Sequence, residues 1–265
     1  MYAFNYHRPT SLTDATKLLG SADDGKLLAG GQTLLPTLKN RLAQPSDLVD
    51  LSGIKELQGI TASGGTVTIG ATTKHGLVAA SADVKKAIPA LSYLAGLIGD
   101  PQVRNMGTIG GSVANNDPAA DYPAAVLGLG ATVHTSKRKI AADDFFTGLF
   151  ETALEDGEII TKVEFPTAKR AGYEKFRNPA SRYAMVGVFV AETANGVRVA
   201  VTGAGPCVFR HKEMEAALSK SFTADALNGI KTDPAKMNND IHGTGAYRAH
   251  LVGVIAKRAV QNALG

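Results

Sequence analysis

The sequence has a single cysteine, Cys207, among its 265 residues. This scarcity excludes a disulfide framework, and it excludes an iron–sulfur cluster held by this chain alone, which needs about four thiolates. The six histidines show no spacing typical of metal ligands. No apolar run reaches the ~18 residues of a membrane-spanning helix, and the first residues lack the charged-then-apolar layout of a signal peptide. We therefore expect a cytoplasmic protein with no metal site and no membrane span.

Positive charge is present, but it is dispersed along the chain. The formal net charge is +4 and the sequence pI is about 9.1. The densest cluster, residues 137–139, has no interleaved aromatic residues and is more typical of a hairpin turn. We therefore expect no nucleic-acid partner. Hydrophobic residues make up 44% of the chain and charged residues 20%, values that allow a substantial core.

Two glycine-rich segments, residues 28–36 and 105–115, carry most of the information. Each combines adjacent glycines with a flanking hydroxyl residue: Gly30-Gly31 in the first and Gly110-Gly111 in the second. Adjacent glycines permit positive φ and a close approach of main-chain N–H groups to a ligand, and successive N–H groups form a concavity that binds anions. Neither segment has the spacing of a Rossmann fingerprint or a P-loop. One such turn is usually only a turn, but two together favour a diphosphate held from both sides.

Hydrophobic periodicity and turn residues predict an α+β protein. Helices are predicted at 11–19, 34–42, 88–98, 118–129, 213–218 and 245–264, with Ser11 as the cap of the first. Anion binding would gain from a helix beginning after the first glycine segment. Strands are predicted around residues 26–29, 48–51, 66–70, 131–135, 159–165, 185–191 and 197–202. The composition changes near Pro166, so residues 167–172 are interpreted as a linker or exposed turn.

Five short motifs together resemble one known family. They are AGGQTLLP at 29–36, NMGTIGGS at 105–112, DPAADYP at 117–123, YEKF at 173–176 and YRAHL at 247–251. These motifs are similar to those of the FAD-binding medium subunit of the molybdenum hydroxylases, the family of carbon monoxide dehydrogenase and xanthine dehydrogenase. The resemblance covers essentially the whole chain.

The resemblance implies a fold and a domain division. Residues 1–168 would form a two-subdomain FAD-binding domain of the p-cresol methylhydroxylase and vanillyl-alcohol oxidase type. Residues 169–265 would form a smaller α+β domain of the carbon monoxide dehydrogenase flavoprotein type.

The resemblance also assigns cofactor-binding residues. The main chain of each glycine segment would bind one side of the FAD diphosphate. Asp121 would accept hydrogen bonds from the ribose or adenine, unless it is an ordinary carboxylate at a helix N-terminus. Ile160 would pack near the flavin, and Lys175, or alternatively Arg177, would supply a cation near it. The complete set is Ala29, Gly30, Gly31, Gln32, Thr33, Leu34, Thr108, Ile109, Gly110, Gly111, Ser112, Asp121, Ile160 and Lys175.

By the same resemblance, this chain would be an electron-transfer subunit without catalytic residues of its own. A large subunit would carry the molybdenum cofactor, and a small subunit with [2Fe–2S] clusters would deliver electrons to FAD for transfer to an external acceptor. The assembly would be a dimer of heterotrimers. Two alternatives remain at this point: a stand-alone flavin oxidase or reductase of the same wider fold, and a non-catalytic nucleotide-binding assembly module.

Overall fold

A computed structural model describes all 265 residues of the chain, and it contains eleven α-helices and fourteen strands. The helices are α1 (Leu12–Ser21), α2 (Leu34–Lys39), α3 (His75–Ala80), α4 (Ala82–Ala87), α5 (Pro89–Gly96), α6 (Pro101–Met106), α7 (Ile109–Asn115), α8 (Tyr122–Leu129), α9 (Ala142–Phe145), α10 (Lys212–Lys220) and α11 (Gly245–Leu264). The strands are β1 (Asn5–His7), β2 (Gly25–Leu28), β3 (Asp47–Asp50), β4 (Ile60–Ser63), β5 (Thr66–Gly70), β6 (Thr132–Thr135), β7 (Lys139–Ala141), β8 (Phe146–Gly148), β9 (Glu151–Thr152), β10 (Ile160–Pro166), β11 (Arg170–Arg177), β12 (Ala184–Thr193), β13 (Gly196–Thr202) and β14 (Phe209–Arg210).

The N-terminal part is a small parallel sheet with strand order β1-β3-β2. Helix α1 connects β1 to β2, and Ser11 caps it by accepting a hydrogen bond from the N–H of Asp14, as predicted. The apolar side of α1 packs on a small core that includes Ala15 and Val49. Because β2 leads directly into the first glycine segment, this sheet fixes where that segment begins.

A five-stranded antiparallel sheet follows, with strand order β4-β5-β10-β6-β7. Together with helices α3, α4, α5, α7 and α8, it encloses the largest core of the molecule, a cluster of 31 buried residues. Helix α8 is buried along its whole length, from Tyr122 to Leu129. Such a helix has no solvent face, so its position is fixed from all sides.

The C-terminal part is a four-stranded antiparallel sheet, β11-β12-β13-β14, which packs against the long helix α11. Strand β12 is buried from Ala184 to Ala191, because α11 covers one side of this sheet and α8 the other. Phe189 belongs to the same cluster as residues of the N-terminal part. The largest core therefore extends from the N-terminal part into the C-terminal sheet.

The α+β class is confirmed, and α11 has the predicted bounds. The predicted linker is wrong in extent, because β10 ends at Pro166 and β11 begins at Arg170, which leaves only residues 167–169 between them. The predicted helix at 118–129 begins only at Tyr122. No helix combines the length and the apolar character that crossing a lipid bilayer would require.

Candidate functional site: two glycine segments in contact

The two glycine segments meet at Gly30. A Cβ atom on this residue would lie 2.4 Å from the carbonyl oxygen of Met106 and 2.6 Å from the Cα atom of Gly107. Distances this short leave no room for any side chain, so only glycine allows the two main chains to come together. On its other side, Gly107 lies against the ring of His75, whose Nε2 atom would be 2.5 Å from a Cβ on Gly107.

The first segment presents a run of unpaired main-chain donors. The N–H groups of residues 30–34 donate to no group within the chain, and the first N–H to do so is that of Leu35, which bonds to the carbonyl of Gly31 at 3.2 Å. Gly31 has φ of +69°, a conformation that glycine adopts without strain. Five successive free N–H groups form the kind of concavity that binds a phosphate or another anion.

The second segment is built differently, because most of its donors are already used. It enters the short helix α7, whose N-cap is Thr108; the Thr108 hydroxyl accepts from the N–H of Gly111 at 3.2 Å. The N–H of Ile109 bonds to the carbonyl of Thr73 at 3.1 Å, and that of Gly110 bonds to Ala71 at 2.8 Å. The expectation that both segments offer a row of main-chain N–H groups is therefore wrong for the second.

What remains free in the second segment is the N–H of Thr108 and the hydroxyl of Ser112, neither of which has a partner in the chain. Gly110 serves packing, since a Cβ there would lie 2.6 Å from the Cβ of Ala71. Gly111 lies closer to the first segment: a Cβ on it would be 3.7 Å from the Cβ of Ala29. The second segment thus has fewer free donors than the first and packs against it.

Asp121 and Lys175, both predicted to contact the cofactor, contact each other instead. The Lys175 ammonium lies 2.9 Å from Asp121 Oδ2 and 3.0 Å from the carbonyl of Leu97, and Tyr173 donates its hydroxyl proton to Asp121 Oδ1. The two charged side chains are 1% and 4% exposed. A direct hydrogen bond from either of them to a cofactor would require this network to open.

Burial dominates the electrostatics of this cluster. It raises the pKa of Asp121, and the nearby ammonium of Lys175 and the hydroxyl of Tyr173 only partly oppose that rise. Burial and the Asp121 carboxylate also raise the pKa of Tyr173 well above its ordinary value. Arg177, the alternative to Lys175, is exposed at the end of β11. Of the two candidates, only Lys175 is therefore held inside the protein.

Ile160 lies in the core at the start of β10. The carbonyl of its neighbour Thr161 accepts from the N–H of Ala71 at 2.9 Å, and Ala71 in turn bonds to Gly110. Two hydrogen bonds thus connect the Ile160 strand to the second glycine segment. Nowhere in the chain are three His, Cys, Asp or Glu side chains placed so that they could hold a metal ion.

His75 and Tyr122 form a feature that sequence reasoning missed. Their rings are 5.3 Å apart, and His75 Nδ1 and Tyr122 Oη are both buried without a hydrogen-bond partner. Burial lowers the pKa of His75 to about 4, so its ring is neutral at physiological pH. The only signal in the sequence is the polar run Thr72-Thr73-Lys74-His75, which begins one residue after the strand that ends at Gly70.

Comparison with known proteins identifies the family. Residues 2–168 match the FAD binding domain in molybdopterin dehydrogenase. The chain is 36% identical to the carbon monoxide dehydrogenase medium chain of Hydrogenophaga pseudoflava, over 98% of this chain and 96% of that one. It is 35% identical to the nicotine 6-hydroxylase medium subunit of Paenarthrobacter nicotinovorans, over 98% and 97%. The structure of reconstituted CO dehydrogenase from Oligotropha carboxidovorans superposes with a TM-score of 0.91 at 34% identity, covering 98% of this chain and 97% of that one.

This protein is a flavoprotein subunit of a multi-subunit oxidoreductase, and its cofactor is FAD. It belongs to the FAD-binding medium subunits of the molybdenum hydroxylase family. The free N–H groups of residues 30–34 fit this cofactor, because the oxygens of a diphosphate can accept hydrogen bonds from such donors. In the relatives, molybdenum and iron–sulfur centres belong to other subunits, which agrees with the single cysteine of this chain.

Proposed function

We propose that this chain is the electron-transfer subunit of its complex, placed between the [2Fe–2S] clusters of a small subunit and an external electron acceptor. The large subunit of that complex would hold the molybdenum cofactor and oxidise the substrate. The observation that carries the proposal is the row of free N–H groups at residues 30–34, packed through Gly30 against the second glycine segment. These N–H groups can bind a diphosphate, but they cannot act as an acid or a base.

The chain's own residues would bind, orient and shield the cofactor. The N–H groups of residues 30–34 would donate to the diphosphate oxygens, and Thr108 and Ser112 would approach from the opposite wall. Ala29, Ile109, Gly110 and Gly111 would shape that wall, and the buried Asp121–Lys175 pair and Ile160 would support the site from within. Bound FAD supplies the redox chemistry, since it exchanges electrons singly or in pairs.

The substrate of the whole enzyme would be selected on another chain. Two relatives that are about equally similar to this chain belong to enzymes with different names, carbon monoxide dehydrogenase and nicotine 6-hydroxylase. Both are matched over nearly their whole length. A medium subunit of one design can therefore serve complexes that differ in substrate. We propose a cytoplasmic assembly of large, medium and small subunits, arranged as a dimer of heterotrimers.

The test is to express the full-length chain alone and together with the products of the neighbouring genes. Bound flavin is released by denaturation and identified by chromatography, and candidate substrates are assayed with an artificial electron acceptor. We expect FAD, no turnover by this chain alone, and turnover by the co-purified complex. Turnover by the chain alone would indicate a stand-alone oxidase. Failure to bind FAD in either form would indicate a nucleotide-binding module without redox function.

A further inference from the structure

Lys74 lies directly opposite Thr108, the N-cap residue of the second glycine segment. The two residues form an isolated antiparallel bridge. Its flanking hydrogen bonds run from the N–H of His75 to the carbonyl of Gly107 at 3.0 Å, and from the N–H of Ile109 to the carbonyl of Thr73 at 3.1 Å. Lys74 is thereby held in register with Thr108, whose N–H has no partner in the chain.

This register also decides the direction of the Lys74 side chain. In an antiparallel pair, residues directly opposite each other have their side chains on the same face, and the Cα atoms of a pair without mutual hydrogen bonds are about 4.5 Å apart. The Thr108 side chain reaches to the N–H of Gly111, and Gly111 lies beside Ala29 of the first segment. Lys74 therefore leaves the main chain on the side where the two glycine segments meet.

The charge of Lys74 is unpaired. Its side chain is exposed and takes part in no ion pair or hydrogen bond, whereas the guanidinium of the nearby Arg104 donates to the carbonyls of Ile98 and Gly99. Within the two glycine segments, residues 29–34 and 107–112 carry no charged side chain. A diphosphate bound there would meet main-chain dipoles and hydroxyl groups but no full positive charge from either segment.

We infer that Lys74 supplies the cation that binds the FAD diphosphate. The inference rests on the proposed function, because it places this lysine at the diphosphate end of the same site. A lysine ammonium forms charge-assisted hydrogen bonds with phosphate oxygens, and these bonds are stronger than those from neutral donors. Because both glycine segments offer only neutral donors, a positive charge for the diphosphate must come from a residue outside them.

The test compares Lys74→Met and Lys74→Arg with Lys86→Met, which removes an exposed, unpaired lysine from α4. The full-length chain, freed of flavin and kept with any subunits that co-purify, is titrated with FAD, ADP and riboflavin. Lys74→Met should raise the Kd for FAD and for ADP about tenfold and should leave the Kd for riboflavin unchanged. Lys74→Arg should restore most of the affinity, and Lys86→Met should behave like the unaltered chain.

The dependence on salt gives a second readout. Loss of a phosphate contact should make FAD binding by Lys74→Met less sensitive to ionic strength than binding by the unaltered chain, since one screened charge pair is gone. Equal Kd values and equal salt slopes for Lys74→Met and Lys86→Met would overturn the inference. If the unaltered chain binds none of the three ligands, the proposed function itself fails, which is a distinguishable result.

Discussion

Asp121 Oδ2 and Lys175 Nζ are 2.9 Å apart although 54 residues separate them in the sequence. The pair joins the start of α8 to strand β11, and the Lys175 ammonium also reaches the carbonyl of Leu97, just beyond α5. It therefore connects the C-terminal sheet to the part of the chain that carries both glycine segments. Removing one partner of a buried ion pair is strongly destabilising, because the other charge is then left buried without a counter-charge.

Lys175→Met should lower the free energy of unfolding by roughly 3–5 kcal/mol at neutral pH, because it leaves the Asp121 carboxylate buried without its counter-charge. The matched control is Lys169→Met. Lys169 lies just before β11 and pairs with Glu192, but its side chain is 72% exposed. Surface pairs contribute about 0–1 kcal/mol. Urea unfolding of both variants measures the difference, and equal losses would contradict a buried pair.

The cost of Lys175→Met should also depend on pH. Because burial raises the pKa of Asp121, and the variant no longer has the ammonium that opposes this rise, its carboxyl will take up a proton more readily. The protonated form needs no counter-charge, so the deficit should shrink as the pH falls. Unfolding curves recorded at several pH values below neutrality measure this, and a constant deficit would count against the assignment.

Gly31→Ala should weaken FAD binding by roughly tenfold or more, because it forces a Cβ onto a residue at φ +69° within the row of free donors. The matched control is Gly157→Ala, which has φ of +72° and no atom within 4 Å of the added Cβ. Both variants should lose about 1 kcal/mol of stability through the left-handed backbone, and Gly31→Ala should lose more, because its Cβ would lie 2.8 Å from a methyl group of Leu35 that must move. Only the first should lose FAD, measured by fluorescence titration; equal affinities would exclude residues 30–34 as the diphosphate site.

His75 should make stability depend on pH between 6.5 and about 4. Its pKa in the folded protein lies near 4, below the ordinary value of 6.5, so within this window the unfolded chain binds a proton that the folded chain does not. Stability is therefore full above pH 6.5 and decreases as the pH falls, by up to about 3 kcal/mol at the lower end. His75→Gln should flatten the curve in this window, and parallel curves for the two proteins would refute the effect.

Two glycines of the C-terminal part should respond in opposite directions. A Cβ on Gly172 would lie 2.0 Å from the carbonyl oxygen of Ala259 in α11, so Gly172→Ala should destabilise the protein by at least the ~1–3 kcal/mol typical of overpacking. Gly253, within α11, has nothing within 4 Å of an added Cβ, so Gly253→Ala should stabilise by about 0.5–1 kcal/mol. Thermal unfolding measures both, and equal shifts would contradict the packing of α11 on β11.

The sequence identified the two glycine segments, since paired glycines with flanking hydroxyl residues are a local signal, and it predicted that they bind opposite sides of one diphosphate; the direct packing of Gly30 on Gly107 was not predicted. It did not predict that the N–H of Gly110 is used by Ala71, because that partner lies in a distant strand end that no motif marks. Nor did it predict helix α7, which has seven residues and two adjacent glycines. A helix of such poor intrinsic propensity forms because Thr108 caps it and its first N–H groups bond to the chain beyond β5.

The choice between Lys175 and Arg177 was also beyond the sequence. Side chains two residues apart in a strand lie on the same face, so strand alternation treats the two alike. The structure separates them through an irregularity in the pairing of β11 with β12 between Phe176 and Arg177. Lys175 remains inside, and Arg177 is exposed at the strand end.

The contact of Gly30 with Gly107 makes the two halves of the site interdependent. Gly107 is enclosed between Gly30 and His75, so it cannot move away to accommodate a larger residue in the first segment. A first segment transplanted from a distant homologue would work only if the second segment came with it. A substitution at either position is therefore constrained by the residue at the other, and a design that exchanges the cofactor must change both segments together.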